Sequence, residues 1–228
     1  MADHGGVIAF ASCIGSPGTF ARCAVPGLRE AAEPDSPVAE TSSPTSIFAA
    51  YNEVLDHFAG APDLEALVLL HDDVELLADD FCGRVRRELA DPAVAVVGAV
   101  GARDVRSLAW WDGELAGAVT ETRGRVDHGF GRRDVDALDG LLLVLAPWAV
   151  RTLRFDEAAF TGFHGYDVDL CFAARATGGE VRVADLPVHH HTKGGLGDAA
   201  AWRAADVVFR RKWGLPGGVA PPPTGPGT

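Results

Sequence analysis

Five short apolar runs punctuate the chain: Val7-Ile8-Ala9-Phe10-Ala11, Ala66-Leu67-Val68-Leu69-Leu70, Val94-Ala95-Val96-Val97, Leu141-Leu142-Leu143-Val144-Leu145 and Val181-Arg182-Val183. Runs this short and this apolar read as strands buried on both faces of a sheet. Helix signals lie between them. In residues 46–55, Ile47, Ala50, Tyr51 and Val54 fall at helical spacing behind Ser46, a residue type favoured at helix N-caps. A second helix is predicted over residues 79–89, stopped by Asp91-Pro92. A third is predicted from near Asp167 through Leu170, Cys171 and Ala174 to the Gly178-Gly179 stop. Strands alternating with helices predict an α/β fold with a mixed, mostly parallel central sheet flanked by helices. In such sheets ligands bind beyond the carboxyl ends of the strands.

That rule gives weight to the residues just after the second run. His71-Asp72-Asp73-Val74-Glu75 places an acidic cluster at a strand's carboxyl end. Adjacent carboxylates repel unless positive charge sits between them, and hard divalent cations bridge such acids to phosphates. The alternative is a solvated acidic turn that caps the next helix. Further on, residues 155–171 gather aromatics and acids ahead of the third helix, a composition suited to a sugar or nucleotide pocket. Asp167 is there either a general base for an incoming hydroxyl or simply the helix N-cap. Finally, Val188-His189-His190-His191 follows Pro187. Consecutive residues of an extended chain point in alternate directions, so one or two of these histidines at most face a common site, and His191, nearest the glycine-rich turn, is favoured. An Asp-plus-His set suits Mn²⁺ better than Mg²⁺.

Composition narrows the classes. With 228 residues, 47% hydrophobic and 23% charged, the chain can bury a sizeable core, read as one domain over residues 1–213 with a Pro/Gly-rich, disordered tail over 214–228. The 32 acids against 20 Lys and Arg give a net charge of −12, which repels phosphate backbones and anionic lipid, so nucleic acid and membrane surfaces are poor partners. No apolar run reaches the roughly 18 residues that span a bilayer. Cys13, Cys23, Cys82 and Cys171 form no C-x-x-C pair and fit reduced thiols. A soluble cytoplasmic protein is expected.

In order and spacing, these features resemble a family 2 glycosyltransferase with the GT-A fold, and more closely the small glycosyltransferase-like domain of streptomycin-biosynthesis type. The resemblance runs from Val7 to about Lys193. It is carried by Ala50-Tyr51-Asn52, Leu70-His71-Asp72-Asp73-Val74-Glu75, Asp139-Gly140, Phe155-Asp156-Glu157, the segment from Phe163 through His164, Gly165, Tyr166, Asp167, Val168, Asp169 and Leu170 to Cys171, and His191. It implies a metal-dependent, inverting transfer of a sugar from a nucleoside-diphosphate donor to an acceptor hydroxyl. Within that resemblance Asp73 is the direct ligand of Mn²⁺ or Mg²⁺, with Asp72 beside it and His191 as an additional ligand, and Asp167 is the catalytic base. Asp139, Gly140, Asp169, Asn52, His164 and Tyr166 fall on the substrate side, Gly140 for close backbone approach or for a plain turn.

The pattern departs from the family in the loop over residues 12–18, which lacks an Arg and leaves only Arg22 nearby, and in a longer stretch that follows. Residues 31–44 carry Pro34, Pro37 and Pro44 where relatives have a second strand that grips the nucleoside, and only Val38-Ala39-Glu40 could form a short edge strand. A non-catalytic GT-A module that binds carbohydrate, nucleotide or a protein partner is the alternative reading, and a metal-dependent phosphohydrolase is a third. The donor sugar and base, the acceptor and the oligomeric state are not written in these motifs.

Overall fold

The computed structural model describes residues 5–43, 45–131, 133–192 and 197–217. The chain opens with β1 (Val7–Cys13) and α1 (Pro17–Ala31), then passes through β2 (Val38–Thr41) and α2 (Ile47–Ala59) into β3 (Leu64–Leu70). β4 (Val74–Leu76), α3 (Phe81–Leu89), β5 (Val94–Gly98) and β6 (Val100–Arg103) follow. A hairpin of β7 (Glu114–Glu121) and β8 (Gly124–Gly129) precedes β9 (Ala137–Leu138) and β10 (Leu142–Leu145). The chain continues with α4 (Pro147–Thr152), α5 (Tyr166–Ala176), β11 (Glu180–Val183), β12 (Val188–His190) and α6 (Ala199–Trp213).

The five apolar runs supply five strands of a six-stranded sheet, ordered β11-β5-β10-β3-β1-β2, with β2 the sixth. β1 pairs in parallel with β2 and β3, and β11 with β5, while β10 runs antiparallel to both its neighbours. Period-two alternation divides the core. Ala9, Ala11, Leu67, Leu69, Leu143 and Leu145 pack on one face with the apolar side of α2, α4 and α5. Ile8, Phe10, Val68, Leu70, Leu142 and Val144 face α1 and α3 on the other. The proline-rich stretch does yield β2, a polar edge strand paired, among the described residues, with β1 alone.

A second sheet, ordered β4-β12-β7-β6-β9 with β8 paired to β7, lies beyond the carboxyl end of β3 and is absent from the sequence prediction. Its strands are short or glycine-interrupted, so they produce no apolar run. Because β10 is antiparallel, its start lies at the same end as the end of β3, with Leu142 opposite Leu70 and His71 N–H donating to Leu141 O at 3.1 Å. Three segments therefore meet there: the turn after β3, residues 139–141 before β10, and β12, whose neighbour His191 donates its N–H to Asp73 O. The expected tail beyond Gly217 lies outside the described residues, as does the glycine-rich turn after Thr192. No helix among the described residues is long and apolar enough to cross a membrane.

Candidate active site

Helix α5 begins one residue earlier than its acids suggest. Gly165, at φ +86°, occupies the N-cap in a left-handed conformation that glycine adopts without strain, and no side chain caps the helix. Asp167 is thus inside the first turn, where its Oδ2 accepts from Gly140 N–H at 2.9 Å. The helix-cap alternative for Asp167 is ruled out, and so is a plain turn role for Gly140. A Cβ on Gly140 would lie 2.2 Å from Tyr166 Oη and 3.0 Å from Asp167 Cβ, so only glycine lets α5 come this close to the start of β10.

Tyr166 continues the connection. Its hydroxyl donates to Gly140 O at 2.9 Å and lies 2.6 Å from His71 Nε2. A phenol has one proton, and burial keeps it on the oxygen. His71 Nε2 is therefore the donor in that contact, which leaves Nδ1 with a lone pair on the side of Asp73, 3.9 Å from Asp73 Oδ1. On the opposite side His190 Nε2 lies 3.3 Å from the same Asp73 oxygen. His71, Asp73 and His190 each offer a donor atom, all within 4.8 Å of one another. Two imidazoles and a carboxylate at such spacing fit a divalent transition-metal ion.

The electrostatics agree with that donor set. Burial acts to lower the His190 pKa, but Asp73, Asp139 and Glu121 outweigh it and hold the imidazole above its ordinary value. Burial acts to raise Asp73, yet His190 and His71 hold it below the usual carboxylate range. The site thus draws positive charge to the point between these residues. His71, by contrast, is held below the ordinary imidazole value, first by burial against the pull of Asp139, with His190 adding to it. Its unprotonated nitrogen suits ligation. Asp167 is the opposite case. Burial and then the charge of Asp139 push its carboxyl up to about 7, against the Val168 and Gly140 amides.

The profile of a glycosyltransferase-like family matches residues 9–196 of this chain. The streptomycin biosynthesis protein StrF of Streptomyces griseus is 35% identical over 212 residues, covering 91% of this chain and 75% of StrF. The chain belongs to the glycosyltransferase-like family. Solved structures share the GT-A fold with this family member at much lower identity. GalNAc-T7, solved with UDP, GalNAc and Mn²⁺, has a TM-score of 0.60 at 10% identity over 92% of this chain and 48% of its own. The mannosyltransferase PcManGT of Pyrobaculum calidifontis, solved with GDP-Man and Mn²⁺, has a TM-score of 0.58 at 16% identity over 95% of this chain and 66% of its own. Protein A197 of STIV has a TM-score of 0.54 at 15% identity over 82% of this chain and 86% of its own.

In this glycosyltransferase-family chain the expected site residues separate into those that converge and those that hold structure. Asp73, Asp139, Gly140, Tyr166 and Asp167 converge, with Asp139 Oδ1 held by Leu141 N–H at 3.0 Å. Asp72 does not join the metal-type set. Its Oδ2 accepts from Gly15 and Ser16 N–H at 2.9 and 2.8 Å, fixing the loop that starts α1. His191 is also a correction, since strand alternation turns its ring away from Asp73 and onto Glu75, and His190 takes the place expected for it. Asn52 pairs with the Phe155 backbone through two 2.9 Å bonds, one given by its amide nitrogen and one accepted by its oxygen, and so ties α2 to the segment before α5. Asp169 is 1% exposed, with its oxygens on Lys212 Nζ and Trp213 Nε1 at 2.8 Å each, so it anchors α6. His164 stands half-buried in the loop before α5, its imidazole held below the ordinary value by burial.

Two candidate ligands, His71 and His190, are not among the ligands expected from the sequence. The signal for His190 was available: Val188 is the apolar, inward residue of a short strand, and period two puts His190 on the same face. His71 carried no comparable signal, because its partner Tyr166 is 95 residues away.

Proposed function

We propose that the chain is a metal-dependent, inverting glycosyltransferase that moves a sugar from a nucleoside-diphosphate donor to an acceptor hydroxyl in the cytoplasm. The observation that carries this reading is the hydrogen-bonded path from Asp73's neighbour His71 through Tyr166 and Gly140 to Asp167, which links a cation-type donor set to a basic carboxylate at one sheet end. Family membership supports sugar transfer, and the Mn²⁺ and nucleotide or nucleotide sugar in the GalNAc-T7 and PcManGT structures support the donor class. Four free cysteines fit a reducing compartment.

His71, Asp73 and His190 would hold a divalent ion, Mn²⁺ in preference to Mg²⁺ given the two imidazoles, and that ion would neutralise the charge that develops on a departing diphosphate. Tyr166 fixes the His71 tautomer, as outer groups commonly do for metal-bound imidazoles. Asp167 accepts the proton of the acceptor hydroxyl while that oxygen forms its bond to the anomeric carbon and the bond to the diphosphate breaks on the opposite face. A single displacement of this kind inverts the anomeric centre. With its pKa of about 7, Asp167 is a far better proton acceptor near neutral pH than an ordinary aspartate. The Gly140 amide holds one of its oxygens in place during the transfer.

The reading is tested by a thermal-shift panel of UDP, GDP, CDP and dTDP with and without Mn²⁺, on the natural chain and on Asp73→Asn. Ligand at about 100 times its Kd adds roughly 2.7 kcal/mol, a Tm rise of about 5 to 10 °C for a domain of this size. A rise for one nucleotide that needs both Mn²⁺ and Asp73 is expected. No rise with any nucleotide, or one indifferent to Asp73→Asn, would overturn it.

A further inference from the structure

We propose that Glu75, His189 and His191 form a second divalent-metal site on the face of β12 opposite His190. Alternation along the strand sends His190 toward Asp73 and turns both of its neighbours the other way. The antiparallel register sets Glu75 of β4 directly across from His189. The two imidazoles stack with ring centroids 3.9 Å apart and planes inclined by 27°. Glu75 Oε2 lies 2.9 Å from His191 Nε2. One donor atom from each of the three residues lies within 4.8 Å of the other two.

The unusual feature is His189. Its Nε2 is buried and has no hydrogen-bond partner among the described residues. Buried polar nitrogens are rarely left so, and an ion is one of the few groups that satisfies an imidazole lone pair at a site already holding a carboxylate. Two nitrogens and one carboxylate oxygen select Zn²⁺ and its late first-row neighbours over Mg²⁺, which prefers oxygen ligands. Ligand atoms on one zinc ion are about 3 to 3.5 Å apart, given bond lengths near 2.0 to 2.1 Å, so the three side chains need to draw together by only an ångström or two. The side chains of Glu75 and His191 are 30% and 31% exposed, which leaves an approach from solvent.

An ion here has a structural consequence. It would clip β4 to β12, and these two elements carry the flanks of the first metal-type set: Asp73 immediately precedes β4, and His190 ends β12. The second site therefore holds the two halves of the first in register.

The test uses the full chain stripped of metal, titrated with Zn²⁺ against a weak competing chelator, with stoichiometry read by native mass spectrometry. The double variant Asp73→Asn/His190→Gln, which dismantles the first set, is expected to keep one tight Zn²⁺. Adding His189→Gln and His191→Gln should remove that ion or weaken it at least tenfold. For the case in which those changes prevent folding, Glu75→Gln in the Asp73→Asn/His190→Gln background is followed by the visible absorption of bound Co²⁺, which should fade or shift. Loss of all Zn²⁺ from Asp73→Asn/His190→Gln, or an unchanged Co²⁺ spectrum on Glu75→Gln, would overturn the second site. Neither result bears on the nucleotide-dependent shift that tests the proposed transfer.

Discussion

The first turn of α5 carries two aspartates, Asp169 buried and Asp167 partly buried, with opposite surroundings. Asp169 points toward α6, where Lys212 and Trp213 each take one of its oxygens, and Lys212 also pairs with Asp156 at 2.7 Å. Asp167, two residues earlier, has no cationic partner among the described residues and faces the like charge of Asp139. Burial pushes both carboxyls up, but only Asp169 has a cation and an indole N–H acting against it. The helix thus uses one acid to hold the fold and leaves the other basic. A buried carboxylate with its charge answered is a strut, and one with its charge unanswered is chemically available.

Four changes sharpen that contrast. The largest is expected from Asp169→Ala, which takes one of the two acidic partners from Lys212 and the acceptor from Trp213 Nε1, and should cost about 2 to 3 kcal/mol in denaturant unfolding. Next is Gly140→Ala, which drives a methyl into Tyr166 Oη and should cost about 1 to 3 kcal/mol, with a parallel fall in turnover as α5 is pushed from β10.

Asp167→Asn is expected to have the opposite sign. Between 3.8, the ordinary value, and about 7, the folded chain binds a proton that the unfolded chain has released. Stability contributed by the protonated carboxyl therefore falls as pH rises through that window. Asp167→Asn removes the loss and should gain about 1 to 2 kcal/mol at pH 8 and nothing near pH 4, as read by Tm against pH. The smallest effect belongs to Asp139→Asn. It keeps a carbonyl for Leu141 N–H but removes the charge that repels Asp167, so the acidic limb of the turnover profile should move to lower pH.

Much of this molecule was legible in its sequence, and the parts that were not share a cause. β1, β3, β5 and β10 lie inside a covered sheet and show continuous apolar runs, while β11 at its edge keeps Val181 and Val183 facing the core. The second sheet has strands of two to four residues at β4, β6, β9 and β12, and β8 is mostly exposed, so neither length nor pattern marked it. Helix α6 was readable in principle: Asp198 caps it, Trp202, Ala205 and Phe209 recur on one face, and Gly214 ends it. Without α6 the partners of Asp169 cannot be read from the sequence, and its place two residues after Asp167 reads as a substrate contact. The same limit affected Asp72, whose role depends on the amides of Gly15 and Ser16, more than fifty residues away. Acid type and position along the chain identified Asp73 and Asp167 as candidates, but only tertiary partners separate a ligand or base from a strut.

The most direct test of that separation compares donor consumption, with water as acceptor, by Asp167→Asn and Asp169→Asn at a temperature where both are folded, alongside Mn²⁺-dependent nucleotide binding. The account predicts that Asp167→Asn binds the nucleotide as the natural chain does and turns over at least about 100-fold more slowly, as loss of a general base requires. Asp169→Asn should stay within severalfold of the natural rate. A folded Asp167→Asn chain that turns over normally, or an Asp169→Asn chain that is folded and inactive, would contradict it.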